Sequence, residues 1–165
     1  MRTRTLRPAR LSSTRTPKII AALWTGRRIS YRCEHVEISN AQFLPVPVHR
    51  PRVPVWIAGR WPTRAPFRRA ARWDGVFPTF EGVSHAEMPT PEVFVEAVKF
   101  TLACRSLPEP MDIILEGQSA GVADADVVAP YAEAGLTGWV EKKLGWFRGT
   151  LKEMRQRIRA RRQGG

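Results

Sequence analysis

Cysteine is scarce in this chain, with Cys33 and Cys104 the only two. Neither has a Cys or His neighbour at metal-ligand spacing, which excludes a disulfide framework and a cysteine metal site and leaves two reduced thiols. Long apolar runs are missing too. No stretch reaches the ~18 residues that a membrane span needs, and no apolar signal-peptide core is present, so a soluble, cytoplasmic protein is expected. Acid is absent from residues 1 to 18, which carry six basic groups. Residues 148 to 165 carry seven basic groups against Glu153 alone. The formal net charge of +12 therefore lives in the two ends, and the residues between hold equal numbers of each sign. A neutral body with no nucleic-acid motif argues against a nucleic-acid partner; binding by the tails would vanish steeply with salt.

What is there begins with an Arg-, Ser- and Thr-rich leader over 1–16, the composition of a transit peptide or of a disordered segment. Pro17 to Trp24 places Ile19, Ile20, Leu23 and Trp24 on one helical face, with Gly26 as the stop. Ile29 to Ile38 alternates like a short hairpin turning near Cys33 and Glu34. His35 lies in it with no partner ligand nearby and reads as structural. Asn40 to Pro54 holds Pro45, Pro47, Pro51 and Pro54 and reads as an extended connector.

The stretch from Val53 to Trp73 organises the rest. Its apolar run Val53 to Ala58 predicts a strand buried on both faces. Gly59 and Pro62 then predict a tight turn into a helix over Arg64 to Trp73. Further strands are predicted at Gly75 to Phe80, Asp112 to Gly117 and Thr137 to Glu141. The helices between them start at Thr90–Pro91 and at Asp124 or Asp126, and a last helix spans Trp146 to Arg162. A polar loop over Glu81 to Pro89 contains His85. Four strand–helix units in succession imply parallel strands with right-handed crossovers. The pattern alone fits a doubly wound sheet as well as part of a barrel.

PVWIAGRWP at 54 to 62, RRAARWDGVFP at 68 to 78, DIILEG at 112 to 117 and VAPYAEAGLTGWVE at 128 to 141 resemble the luciferase-like family of flavin- or deazaflavin-dependent oxidoreductases and monooxygenases. The resemblance implies an α/β fold, a partial (β/α)8 TIM barrel of about four C-terminal βα units preceded by a short hairpin, over residues 17–162. It also implies FMN or the deazaflavin coenzyme F-420 as cofactor and a small organic molecule as substrate. Half a barrel lacks the other half's positioning residues and exposes two strand edges. The chain is thus expected to be inactive alone, and to pair with a second copy as a homodimer or with the missing N-terminal half. A non-catalytic flavin-phosphate-binding module is the alternative.

Ligands of parallel α/β sheets gather at the carboxyl ends of the strands. Ala58, Gly59, Arg60 and Trp61 are therefore the candidates for the cofactor phosphate, with a helix start and a cation at one spot. Thr79, Phe80, Glu81, Gly117, Gln118 and Lys142 follow the other strands; Thr79, Phe80 and Gln118 are assigned to the substrate pocket. Glu116 and Glu141 end neighbouring strands and are expected to face one mouth, where two carboxylates can move a proton if burial raises one of them. No metal site is expected.

Overall fold

The computed structural model describes residues 16–33, 36–83, 87–119, 125–141 and 150–162. They fall into two compact units that divide between Val55 and Trp56.

The first unit starts with α1, Thr16–Leu23. It ends in a turn where Gly26, at φ +72°, adopts the left-handed conformation that glycine tolerates best. Strands β1 (Ile29–Cys33) and β2 (Val36–Ala41) pair antiparallel, as the alternation predicts. Arg32 and Glu37 face each other across the ladder as an exposed ion pair. The predicted turn residue Glu34, with His35, lies outside the described residues. From Gln42 to Val55 no helix or strand forms, in keeping with the four prolines.

In the second unit β3 (Trp56–Trp61), α2 (Arg64–Ala70), β4 (Gly75–Phe80), α3 (Pro91–Ala103), β5 (Asp112–Gly117), α4 (Ala125–Glu133) and β6 (Gly138–Glu141) alternate, and α5 (Leu151–Arg162) closes the series. The four strands run parallel in the order β3-β4-β5-β6. Sequential order with right-handed crossovers puts the connecting helices on one face, and the side chains agree. Trp61 meets Phe67 of α2 edge-on at 5.3 Å, Phe80 meets Phe94 of α3 at 6.4 Å, and Trp139 meets Tyr131 of α4 at 6.2 Å. The register and the two-residue alternation of strands put Trp61, Phe80 and Trp139 on this same face. Helices on one face and an unreversed strand order are not the doubly wound arrangement.

The core lies between that face and the helices. Phe67, Phe94, Leu115, Val76 and Thr101 are its largest fully buried side chains. Phe80, Phe94, Tyr131 and Trp139 form a continuous aromatic chain from β4 through α3 and α4 to β6. The Tyr131 hydroxyl donates to the Pro89 carbonyl at 2.5 Å. Burial, and secondly the Glu92 carboxylate, push that hydroxyl above its ordinary range. The folded protein therefore holds the proton more tightly than the unfolded chain. The stability this gives is intact below the ordinary tyrosine value of about 10 and is lost as pH rises through the folded-state value. Denaturation at about pH 8 and about pH 11 should show the wild type losing more stability on alkalinisation than Tyr131→Phe. Equal losses would refute the assignment.

Two expectations need correction. The first strand of this unit begins at Trp56, not Val53, because the backbone stays irregular through Pro54 and Val55. It is also buried on one face only: Ile57, Gly59 and Trp61 are buried while Trp56, Ala58 and Arg60 are exposed. The following helix stops at Ala70 rather than Trp73. There the Arg105 guanidinium donates to the carbonyls of Ala71 (3.3 Å) and Trp73 (2.7 Å), and on its other side to those of Glu109 (2.9 Å) and Pro110 (3.5 Å). One cation thus satisfies carbonyls of two loops. Arg105→Ala should cost about 1.5–3 kcal/mol in urea denaturation, and Arg105→Lys should recover less than half, since an ammonium cannot fork to both loops. Full recovery by lysine would show that charge alone matters.

Thr90 stands at the N-cap of α3 and Pro91 at its first position, as expected. Thr90 makes no side-chain bond to a helix amide. Its hydroxyl serves the Glu92 carboxylate, which its own backbone N–H first, and then Thr90, hold below the usual range.

Candidate functional site

The carboxyl ends of β3 to β6 are the natural place for a site, and the register decides which residues share a face there. Arg60 pairs with Thr79, and Glu116 pairs with Val140. Continuing the β4–β5 register from Gly75↔Asp112 brings Thr79 level with Glu116. Arg60, Thr79, Glu116 and Val140 therefore form one row on the face away from the helices. Ala58 lies one row below, beside Phe77. Arg60 and Thr79 are exposed and Glu116 is half-buried. The Thr79 hydroxyl donates to the Gly59 carbonyl at 3.2 Å. Gln118, just beyond β5, is half-buried.

The other residues assigned to the site lie elsewhere. Gly59, Trp61 and Phe80 are on the helix face, and all three are buried. The predicted turn at 58–61 is the last part of a strand. Gly59 is glycine because a Cβ there would sit 2.6 Å from Pro66 Cβ and 3.2 Å from Phe67, not because it turns the chain. Thr63, whose N–H bonds the Arg60 carbonyl at 2.9 Å, makes the turn. Pro66, in the first turn of α2, lacks an amide hydrogen.

Glu116 and Glu141 do not face one mouth. Glu141 pairs with Gly117 and so points to the opposite face from Glu116. It is 6 % exposed. It accepts from the Ser119 N–H at 3.1 Å, the Ser119 hydroxyl at 2.6 Å and the Trp139 indole at 3.4 Å. A buried carboxylate so engaged ties β6 to the loop after β5. Ser119 carries no motif in the sequence, and its place two residues after β5 is the one signal that points to it. Lys142 and His85 lie outside the described residues.

No family model matches this chain, and no curated protein matches it.

What the arrangement offers chemically is one cation, one hydroxyl and one carboxylate in a row, at the edge where a parallel sheet meets its ligands. Among the described residues no group of His, Cys, Asp and Glu is placed to hold a metal ion. No described helix is long and apolar enough to cross a membrane. The first unit has a groove of about 560 Å³ between α1 and β1, lined by Ile19, Ala22, Ile29 and Tyr31 with Lys18 and Arg32. It contains none of the residues that the strand ends bring together.

At the opposite ends of the strands the Trp56 indole donates to Asp112 at 2.9 Å, reaching across Gly75. Asp112 is thereby occupied at the amino ends, far along the strand from Glu116.

Proposed function

We propose that the second unit is the C-terminal half of a (β/α)8 barrel of the luciferase-like kind, and that its strand ends form part of the site of a flavin- or deazaflavin-dependent oxidoreductase that does not turn over alone. The observation that carries this reading is the sequential parallel sheet, with its helices on one face and Arg60, Thr79 and Glu116 in a row at the carboxyl ends of the other. In a barrel that second face lines the interior, and the row opens at the mouth where such enzymes bind their ligands.

The residues present suit a phosphate-bearing cofactor in part. Arg60 is an exposed cation at the mouth. Trp61 contributes nothing to it, being turned into the core. When bound, a flavin or deazaflavin would supply hydride or electron transfer. The chain's own residues would anchor and orient: Arg60 holding the phosphate, Thr79 and Gln118 lining the substrate side, and Glu116 as a carboxylate on the mouth face.

The engagement of Glu141 away from the mouth favours a second reading, a flavin-phosphate-binding module without catalysis, because it removes one of the two carboxylates expected there for proton transfer. Fluorescence titration with FMN and with a deazaflavin tests both. Binding that Arg60→Ala weakens about tenfold or more, the loss of one charge-assisted hydrogen bond, is the expected result. Wild-type protein that binds neither ligand sinks both readings. Turnover when an N-terminal half-barrel of a luciferase-like enzyme is supplied would decide for the enzyme.

A further inference from the structure

We propose that Arg64 and Arg68, laid on the ring of Phe100, form a binding site for a dianionic phosphate group on the helical layer of the second unit, on the opposite side of the sheet from the row of Arg60, Thr79 and Glu116. The Arg64 guanidinium carbon lies 4.9 Å from the centre of the Phe100 ring and 5.9 Å from that of Trp61, and the Arg68 carbon lies 5.7 Å from the centre of Phe100. The two arginines stand one helical turn apart on α2 and the ring comes from α3, so side chains of two elements converge on one spot. That spot lies between successive helices of the series and involves no outer strand edge. Trp61 is buried and packs on Phe100 at 5.7 Å, which fixes the surface under the cations. A cation already laid on a ring gives up less freedom when a ligand arrives.

No acid balances the pair. Arg64, Arg68, Arg69 and Arg72 follow one another without an aspartate or glutamate among them. Both stacked arginines are exposed, and neither forms a hydrogen bond or ion pair through its side chain with another described residue. Glu96, one turn before Phe100 on α3, is exposed and forms no ion pair with either. Like charges on neighbouring turns repel each other. A phosphate group brings close to two negative charges and three strong acceptor oxygens, so it relieves that repulsion and accepts from both guanidinium forks at once. A carboxylate, with one charge and two oxygens, matches a single fork.

The test is a titration of the full chain with inorganic phosphate and with phenyl phosphate at constant ionic strength, followed through the arginine Nε–H resonances. Those of Arg64 and Arg68 should move saturably, with a dissociation constant of about 1 mM or below. Arg64→Gln and Arg68→Gln should each weaken binding about tenfold or more. Phe100→Leu, which keeps both charges and removes the ring, should weaken it about threefold. Equal affinities for the two probes would identify the free ion as the ligand, and tighter binding of phenyl phosphate an ester; either result retains the site. Absence of a saturable shift overturns the inference, as does acetate binding to the same arginines as tightly as phosphate. Binding abolished by Arg60→Ala and indifferent to Arg64→Gln overturns it too, by placing the phosphate at the mouth. Should Phe100→Leu fail to fold by circular dichroism, the two exposed arginines decide. No flavin enters these measurements, so the site stands or falls separately from the oxidoreductase reading.

Discussion

Phe94→Ala should lower stability by about 3–5 kcal/mol, a large share of the 5–15 kcal/mol typical of a folded domain. Phe94 has no exposed surface and lies within the aromatic chain, 5.5 Å from Tyr131 in an edge-on contact and 6.4 Å from Phe80. Truncation removes the transfer free energy of the ring, leaves a cavity among α3, α4 and β4, and breaks two aromatic contacts worth about 0.5–1.5 kcal/mol each. Urea unfolding should shift to lower denaturant by about 2 M, given slopes of about 1–3 kcal/mol per molar. Phe94→Leu should recover more than half of the loss, because it refills most of the volume. A loss below about 1 kcal/mol for the alanine variant would mean that the core does not depend on this ring.

Gly75→Ala should be nearly as damaging, at about 3 kcal/mol, for the opposite reason. A Cβ at Gly75 would meet Trp56 Cδ1 at 2.5 Å, the Asp112 carbonyl oxygen at 2.7 Å and Asp112 Cβ at 2.8 Å. A side chain can swing aside, but a carbonyl in a strand cannot without loosening the β4–β5 ladder, where Asp112 N–H bonds the Asp74 carbonyl at 2.8 Å. Adding Trp56→Ala should therefore not rescue Gly75→Ala. Gly117 offers the contrast: a Cβ there would collide with the Trp139 ring alone among its nearest neighbours, so Gly117→Ala should be partly rescued by Trp139→Leu. Rescue at Gly75 and none at Gly117 would reverse the argument.

The strands at Gly75–Phe80 and Asp112–Gly117 form with the bounds their sequences suggest, since each is a short apolar run closed by turn residues and flanked by irregular backbone. The first strand shows where such reading ends. Val53 to Ala58 is the more apolar stretch, yet Trp56–Trp61 is the strand, because Trp61 packs on Phe67 and Phe100 and Gly59 lies under Pro66. Those partners are set by tertiary packing and leave no mark on local composition. The pairing of Glu116 and Glu141 failed similarly. Both do end neighbouring strands, but a shift of one residue in register reverses the face on which a side chain stands. Register depends on backbone partners that spacing along the chain does not reveal. Arg60, Thr79 and Glu116 were legible together because each stands at the end of a strand, and the alternation happened to place all three outward.

The aromatic chain from Phe80 to Trp139 also fixes a timetable for synthesis. Trp61 and Phe67 are six residues apart and can meet as soon as both have left the ribosome. Phe80, by contrast, waits for Phe94, Phe94 for Tyr131, and Tyr131 for Trp139. The chain must be made through Trp139 before this interior can shut, so the nascent chain carries uncovered rings from Phe80 until then, the interval in which chaperones have most to bind.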